Sequence, residues 1–168
     1  MRAERDRFLT TPGTDPIVKL TVLRGVLRVT NVGNANEDTM RSLVAEDDAT
    51  NRKLLQTFLS RYGGCDIALD GKEAVKAVVL ALQSHQEYDL VCMDLRMPRM
   101  DGQDAIREIR KQEAAAKVSK SAKIIVTTIH TDTNSITGAL LGRCNAYLVK
   151  PIDTAKLKKE LKALGLIQ

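Results

Sequence analysis

The stretch Tyr88–Gly102 constrains the fold of this chain more than any other segment. Its apolar run, Leu90–Met93, has the length and bulk of a strand that is buried on both faces, as in a parallel sheet. The run ends in Asp94, and Pro98 and the pair Asp101-Gly102 then supply turn chemistry. The stretch therefore predicts a strand with a carboxylate at its carboxyl end, where open α/β sheets hold their ligand sites.

Length and composition are typical of one globular domain with a sizeable core: 168 residues, 43% apolar and 28% charged. No apolar run approaches the ~20 residues that a membrane helix needs, and the amino terminus lacks the apolar core of a secretory signal. Cys65, Cys92 and Cys144 are far apart and form no CxxC pair, which favours small buried side chains over a disulfide or a zinc site. We therefore expect a cytoplasmic protein.

The net charge of +5 raises the question of nucleic-acid binding. Only 3% of the residues are aromatic, so platforms for stacking single strands are lacking. Most of the positive residues are scattered, and the one group near the C-terminus comprises Lys156, Lys158, Lys159 and Lys162. We interpret that group as a solvated helix face, with a surface for an acidic partner protein as the alternative.

Residues 1–40 differ in pattern from the rest of the chain. Two β-branched runs, Ile17–Leu23 and Val26–Val32, are separated by Arg24-Gly25 and predict a β-hairpin. A lone hairpin is marginal in water, so this one must pack on the main domain or on another chain, which leaves a homodimer open. Met40 directly precedes the next strand, so residues 1–39 are alternatively an upstream artefact of gene calling. We expect an N-terminal extension over residues 1–40 and one domain over residues 41–168.

From Arg41 onward, predicted strands and helices alternate. The predicted strands are Ser42–Ala45, Cys65–Leu69, Leu90–Met93, Ile124–Val126 and Ala146–Val149. Helical spacing and capping residues predict helices over Asn51–Tyr62, from Asp70 to about Leu82, from about Gln103 to Lys117, through Ile136, Leu140 and Leu141, and after Asp153-Thr154. These β-then-α units require a doubly wound, five-stranded parallel sheet with helices on both faces.

The carboxyl ends of these strands carry the candidate functional residues, which are Glu46 and Asp47, then Asp94, Thr128 and Lys150. In a doubly wound sheet those ends share one edge, so the side chains converge. Carboxylates packed together repel, and such a cluster persists only where a cation binds it; oxygen ligands suit Mg²⁺ or Mn²⁺. A divalent ion, an ammonium and a hydroxyl around one carboxylate suit the acceptance of a phosphoryl group.

The register of the acidic pair is open from the residues alone, because Asp47-Asp48 is an alternative to Glu46-Asp47. We favour Glu46-Asp47, since these two directly follow the apolar strand. That choice leaves Asp48 or Thr50 to cap the first helix.

Four segments, in one colinear order, resemble the receiver domain of two-component response regulators of the single-domain, chemotaxis-regulator-like kind. They are Leu43–Leu54, Asp89–Gly102, Ile124–Thr128 and Tyr147–Pro151, and the second contains an Asp followed by xxMPxMDG. The resemblance spans about residues 41–165. It implies a flavodoxin-like sheet with strand order 2-1-3-4-5.

The resemblance also implies roles for the site residues. Asp94 resembles the phosphoacceptor, and Lys150 resembles the lysine that pairs with the phosphoryl group. Glu46, Asp47, Asp94 and the backbone carbonyl of Arg96 resemble the oxygens that hold Mg²⁺ or Mn²⁺. The corresponding Lys-Pro peptide bond is usually cis in that family, so the resemblance implies a cis bond between Lys150 and Pro151.

The implied mechanism is phosphoryl transfer to Asp94 from a sensor histidine kinase or a histidine phosphotransfer protein. Thr128 and Tyr147 resemble the switch residues, which would reshape a surface for a downstream protein. Such a domain is not an enzyme in the usual sense, because it promotes only its own phosphorylation and dephosphorylation. We expect no membrane partner and no DNA-binding domain, since only one helix follows Pro151.

Two other functions compete with this one. An aspartate-based phosphatase would want a second acid two residues after its nucleophile, where this chain has Arg96. A degenerate receiver, acting as a phosphorylation-independent interaction module, would not need the acids, Thr128 and Lys150 together. One departure from the family pattern is Ile129, which follows Thr128 where Ala, Gly or Ser is usual and is expected to narrow access to Asp94.

Overall fold

The computed structural model describes residues 6–9, 18–23, 26–31, 39–129 and 142–168, the first three segments by their backbone. Three N-terminal strands, β1 (Asp6–Leu9), β2 (Val18–Leu23) and β3 (Val26–Asn31), precede the five predicted ones. Those five are β4 (Ser42–Ala45), β5 (Cys65–Ala68), β6 (Leu90–Asp94), β7 (Lys123–Thr128) and β8 (Ala146–Val149). All five lie where the sequence predicts them, to within a few residues at the ends.

The described helices are α1 (Ala49–Leu59), α2 (Gly71–Gln83), α3 (Gly102–Ala116) and α4 (Thr154–Ala163). An aspartate stands before each of them and accepts a hydrogen bond from a backbone N–H of the first turn; the four are Asp48, Asp70, Asp101 and Asp153. Each cap satisfies a donor that the helix itself leaves unpaired. The helix predicted through Ile136, Leu140 and Leu141 lies outside the described residues. No helix of the described ranges is long and apolar enough to cross a bilayer.

The five strands from β4 onward form a parallel sheet in the order β5-β4-β6-β7-β8. This is the predicted order 2-1-3-4-5, so the flavodoxin-like prediction is confirmed. Because parallel strands point the same way, the residues that follow β4, β6, β7 and β8 all lie at one edge of the sheet. Glu46, Asp47, Asp94, Thr128 and Lys150 come from that edge, whereas Tyr147 lies within β8.

Alternate residues of the strands pack on opposite faces of the sheet. On one face Leu43 and Val91 join a core with Ile106 of α3 and buried alanines of α2. On the other face the buried neighbours Val44 and Cys92 pack with side chains from α1 and α4, such as Leu55, Leu59, Leu157 and Leu161. Period-two alternation on buried strands produces these two layers, and it confirms the predicted helices on both faces.

The N-terminal extension continues the sheet beyond β5. β2 and β3 are antiparallel, as predicted for the hairpin, and β3 pairs antiparallel with β5 from Leu27 opposite Ile67 to Val29 opposite Cys65. β1 was not predicted from the sequence; it pairs with β2 and makes the sheet eight-stranded. The extension therefore packs on the main domain through backbone hydrogen bonds at the β5 edge. Its separate role and the domain boundary at residue 40 stay predictions.

The loop after Asp94 is held against the start of α3 by Gly102. The backbone N–H of Gly102 donates to the carbonyl oxygen of Leu95 at 2.9 Å. A Cβ added at Gly102 would lie 2.1 Å from the carbonyl oxygen of Asp94. Only a glycine therefore lets the helix start this close to the end of β6.

We expect Gly102→Ala to lower the free energy of unfolding by about 1–3 kcal/mol, because the backbone at Asp94 must shift to make room for the methyl group. Urea denaturation followed by far-UV circular dichroism measures the loss. Gln103→Ala, one position along the same helix, is the matched control and should change stability by less than about 0.5 kcal/mol. Equal stability of the two variants would contradict the close approach.

Candidate functional site

The turn between β4 and α1 carries three consecutive acids with different surroundings. Glu46 is fully buried, whereas Asp47 and Asp48 are exposed. The Asp48 side chain accepts from the backbone N–H of Asn51 at 2.8 Å and so serves as the helix cap. That leaves Glu46 and Asp47 to face the sheet edge, which is the register that we favoured.

Asp94 is the last residue of β6 and is 5% exposed. β6 lies next to β4, with Met93 opposite Ala45, so the strand ends of Asp94 and Glu46 are neighbours. One carboxylate oxygen from each of Glu46, Asp47 and Asp94 lies within 4.8 Å of the others. The structure thus brings together the three predicted acids from two strands.

Lys150 lies between the two buried carboxylates. Its Nζ donates to Oδ2 of Asp94 at 2.7 Å and to Oε1 of Glu46 at 2.9 Å. Its backbone N–H donates to the carbonyl oxygen of Thr128 at 2.8 Å, which ties the end of β8 to the end of β7. The Lys150–Pro151 peptide bond is cis, as the resemblance implies.

Burial and the neighbouring groups shift the pKa values of Glu46 and Lys150. Burial raises the pKa of Glu46, and the nearby charge of Asp94 raises it further, against the opposing hydrogen bond from Lys150. Burial acts to lower the pKa of Lys150, but the hydrogen bonds to Asp94 and Glu46 outweigh it, and the pKa is raised. The lysine therefore stays an ammonium at neutral pH and compensates part of the negative charge.

The donor set fits a hard divalent cation. The three clustered acids supply only oxygen atoms, and Oε2 of Glu46 is buried with no hydrogen-bond partner among the described residues. An unpaired buried carboxylate oxygen is costly, and an ion at this edge would satisfy it. Asp47, exposed on the outer side, leaves the cluster open to water, which suits a magnesium ion that keeps part of its hydration shell.

Of the remaining predicted residues, Arg96 and Thr128 lie at the same edge, and Tyr147 lies within β8. The backbone N–H of Arg96 donates to Oδ1 of Asp94 at 3.2 Å, so Arg96 lies directly beside the cluster. Thr128 is 2% exposed at the end of β7, the strand adjacent to β6. Tyr147 of β8 is half-buried, and its hydroxyl accepts from Sγ of Cys144 at 2.7 Å. Burial and this hydrogen bond raise the pKa of Tyr147, which keeps the phenol neutral.

Sequence reasoning missed two side chains that shape the site. Arg52 donates from Nη1 to the carbonyl oxygens of Glu46 and Asp47, each at 2.9 Å. Arg99, in the loop after Asp94, pairs with Asp70 and Glu73 at the start of α2. An arginine one turn into the helix that follows an acidic pair is the signal that could have pointed to Arg52.

A family model for the response regulator receiver domain matches residues 43–162 of this chain. The match runs from the second residue of β4 to the last residue but one of α4. The chain belongs to the response regulator receiver domain family. It is a receiver domain of the kind found in two-component phosphorelay systems.

One relative of this receiver is the sensory/regulatory protein RpfC of Xanthomonas campestris, which is 31% identical over 127 residues. That alignment covers 76% of this chain and 17% of RpfC, so the chain spans less than a fifth of that relative. A structural neighbour is the receiver domain of the histidine kinase CKI1 from Arabidopsis thaliana, complexed with Mg²⁺ and BeF₃⁻. Its TM-score is 0.66 at 26% identity, with 75% of this chain and 89% of that chain covered.

A second structural neighbour is the co-crystal structure of the histidine phosphotransfer protein Ypd1 and the receiver domain of Ssk1, both from Saccharomyces cerevisiae. Its TM-score is 0.65 at 27% identity, with 76% of this receiver and 89% of that chain covered. Receivers similar to this one are therefore known both with a magnesium ion and with a phosphotransfer protein.

The ammonium of Lys150 should stabilise the folded receiver, because it is only 11% exposed and neutralises buried acids. We expect Lys150→Met to lower the free energy of unfolding by about 3–5 kcal/mol at neutral pH in a metal-free buffer, since two buried carboxylates lose their counter-charge. Urea denaturation in the presence of EDTA measures the loss.

The pH dependence of the stability loss in Lys150→Met tests whether charge compensation is its cause. The raised pKa of Glu46 means that the folded receiver takes up its proton at a higher pH than the unfolded chain does, so mild acid removes one of the two charges. The loss caused by Lys150→Met should therefore shrink as the pH falls from neutral towards the raised pKa of Glu46. Lys156→Met, on the exposed face of α4, should leave stability nearly unchanged throughout. A loss that stays constant with pH would argue against the charge explanation.

Proposed function

We propose that Asp94 accepts a phosphoryl group from the phosphohistidine of a histidine kinase or a phosphotransfer protein. The observation that carries this proposal is the buried Asp94 carboxylate with the Lys150 ammonium 2.7 Å away and two further acids beside it. An ordinary structural aspartate has no need of an acid cluster around it. The Ypd1–Ssk1 neighbour supports a phosphohistidine protein as the donor.

In the reaction, an oxygen of Asp94 forms a bond to phosphorus while the bond from phosphorus to the histidine nitrogen breaks. The electron pair of that bond stays on the imidazole, which then takes a proton. The Lys150 ammonium stabilises the negative charge as it moves from the Asp94 oxygen to the phosphoryl oxygens. The backbone N–H of Arg96 holds Oδ1 of Asp94 in place. A bound magnesium ion, held by Glu46, Asp47, Asp94 and the carbonyl of Arg96, would neutralise further charge on the phosphoryl group.

The receiver then acts as a switch rather than as an enzyme with a separate substrate. Thr128, at the end of the neighbouring strand, would move its hydroxyl towards the phosphoryl oxygens, and Tyr147 would turn inward. The hydrogen bond between Tyr147 and Cys144 marks the starting position of the ring. The changed surface around β8 and α4 would bind a downstream protein, and water attack on the acyl phosphate would reset the switch.

The test is labelling by a small phosphodonor such as phosphoramidate, with Mg²⁺ or with EDTA. We expect Mg²⁺-dependent labelling of the wild-type chain and none of Asp94→Asn, because the amide removes the nucleophilic oxygen. Phosphate-affinity gels or intact-mass spectrometry measure the labelled fraction.

Asp48→Asn is the matched control, since asparagine also caps helices well and Asp48 is the acid left outside the cluster. It should be labelled like the wild type, whereas Asp47→Asn should need much more Mg²⁺. Labelling of Asp94→Asn at the wild-type level would place the phosphoryl group on another residue, and no labelling of the wild type would leave the receiver as an interaction module; either outcome would reject the proposal. Release of inorganic phosphate from added phosphoester substrates would favour the phosphatase.

Ile129 lies directly after Thr128 and exposes 62% of its surface at the edge of the site. We expect Ile129→Ala to raise both the labelling rate and the hydrolysis rate about fivefold, as a barrier lower by ~1 kcal/mol would. The reason is easier access of the phosphodonor and of water to Asp94. Labelling time courses and decay of the labelled protein give the two rates.

Leu69→Ala is the matched control for Ile129. Leu69 is also an exposed apolar residue at a strand end, but it follows β5, two strands away from Asp94 in the sheet. This variant should leave both rates unchanged. If Ile129→Ala behaves in the same way, Ile129 does not limit access.

A further inference from the structure

The side chain of Arg52 donates two hydrogen bonds to the backbone of the acidic pair Glu46-Asp47. Nη1 donates to the carbonyl oxygens of Glu46 and Asp47, which are consecutive in the turn between β4 and α1. The backbone N–H of Arg52 also donates to the carbonyl oxygen of Asp48 at 3.0 Å, so its own position is set by the first turn of α1. One side chain thus connects the helix to both residues that carry the candidate metal oxygens.

These bonds matter because little else orients the outer acid. Within the described part of the chain, the carboxylate of Asp47 accepts no hydrogen bond, and Asp47 is exposed. The direction of its side chain therefore depends on the backbone angles at residues 46 and 47, since the carbonyl planes and the Cα–Cβ directions move together. Anchoring both carbonyls restricts those angles and limits the conformations that Asp47 can sample.

Resting on the function proposed above, we propose that Arg52 is a positioning residue for the divalent cation, which it serves through the backbone of Glu46 and Asp47. It touches neither the ion nor the phosphoryl group. Its guanidinium suits this task because one planar group can donate to two acceptors in a defined geometry.

The sign of the effect separates positioning from charge. Arg52 is a positive group near a site for a cation, so its charge alone weakens metal binding. Removing that charge should tighten binding if electrostatics were its only influence. Weaker binding on removal would require that the backbone anchor outweighs the charge.

The experiment is isothermal titration of the full chain with MgCl₂ at neutral pH, for the wild type, Arg52→Gln, Arg52→Lys and Lys53→Gln. We expect Arg52→Gln to raise the Kd for Mg²⁺ by about tenfold or more, the usual effect of losing a group that orients a metal ligand. Lys53→Gln removes the same charge from the next, exposed position of α1 and should leave the Kd equal or slightly lower. Arg52→Lys keeps the charge but loses the planar guanidinium that places the two N–H groups of Nη1, so its Kd should also rise.

Each outcome bears on one statement. If the wild-type chain binds no Mg²⁺, the proposed function fails, and the role of Arg52 fails with it. If the wild type binds Mg²⁺ and both Arg52 variants bind it as tightly or more tightly, Arg52 is not a positioning residue, while the proposed function stands. Circular dichroism of each variant shows that it is folded, and Arg52→Lys decides the question if Arg52→Gln is not.

Discussion

The site depends on one shared ammonium. Lys150 is hydrogen-bonded to two carboxylates that come from different strands and are almost completely buried. Buried acids that face each other repel, and a single lysine within 3 Å of both supplies attraction to each. Oε2 of Glu46 is buried without a hydrogen-bond partner among the described residues, so Lys150 compensates the negative charge of the two acids only in part. This imbalance is what makes the edge of the sheet receptive to a further positive charge.

The parallel sheet makes the arrangement possible with few residues. Because β4, β6, β7 and β8 all run in one direction, the residues after each strand meet without any long loop. Backbone hydrogen bonds then fix their relative heights, with Lys150 bonded to Thr128 and Leu95 bonded to Thr127. This backbone register determines the positions of the site side chains. The charges of the acids must then be compensated by Lys150 and by a cation.

Much of this could be predicted from the chain alone, and the reasons are physical. Apolar strands such as Leu90–Met93 are short, bulky and bounded by turn residues, and Asp70 and Asp153 mark helix starts because few other residues cap as well. The parallel alternation then determines which edge carries the acids. The register at Glu46 and Asp47 is open from the residues alone, and the hydrogen bond from Asn51 to the Asp48 side chain, which identifies Asp48 as the cap, is visible only in the structure.

What could not be predicted depends on contacts between distant parts of the chain. β1 (Asp6–Leu9) has no β-branched residue and is a strand only through its pairing with β2. The hydrogen bonds of Arg52 correspond to no periodic pattern in the sequence, because a long side chain can reach back over a turn in many ways. The left-handed backbone of Arg99 likewise contradicts the usual preference of arginine, and the ion pair with Glu73 accompanies it.

Arg52, Arg99 and Gly102 each hold a different segment of the chain near Asp94. Arg52 anchors the loop before α1, Arg99 anchors the loop after β6 to α2, and Gly102 brings α3 against the end of β6. None of these three contacts uses the carboxylate of Asp94, whereas the backbone N–H of Arg96, in the loop after β6, donates to it directly. A change of charge at Asp94 therefore acts first on the Lys150 ammonium and the Arg96 backbone N–H, which both donate to its carboxylate, and Lys150 is in turn bonded through its backbone N–H to Thr128 at the end of β7. In this fold the strand that leads to the acidic pair, β4, lies on one side of β6, and β7, which ends in Thr128, lies on the other.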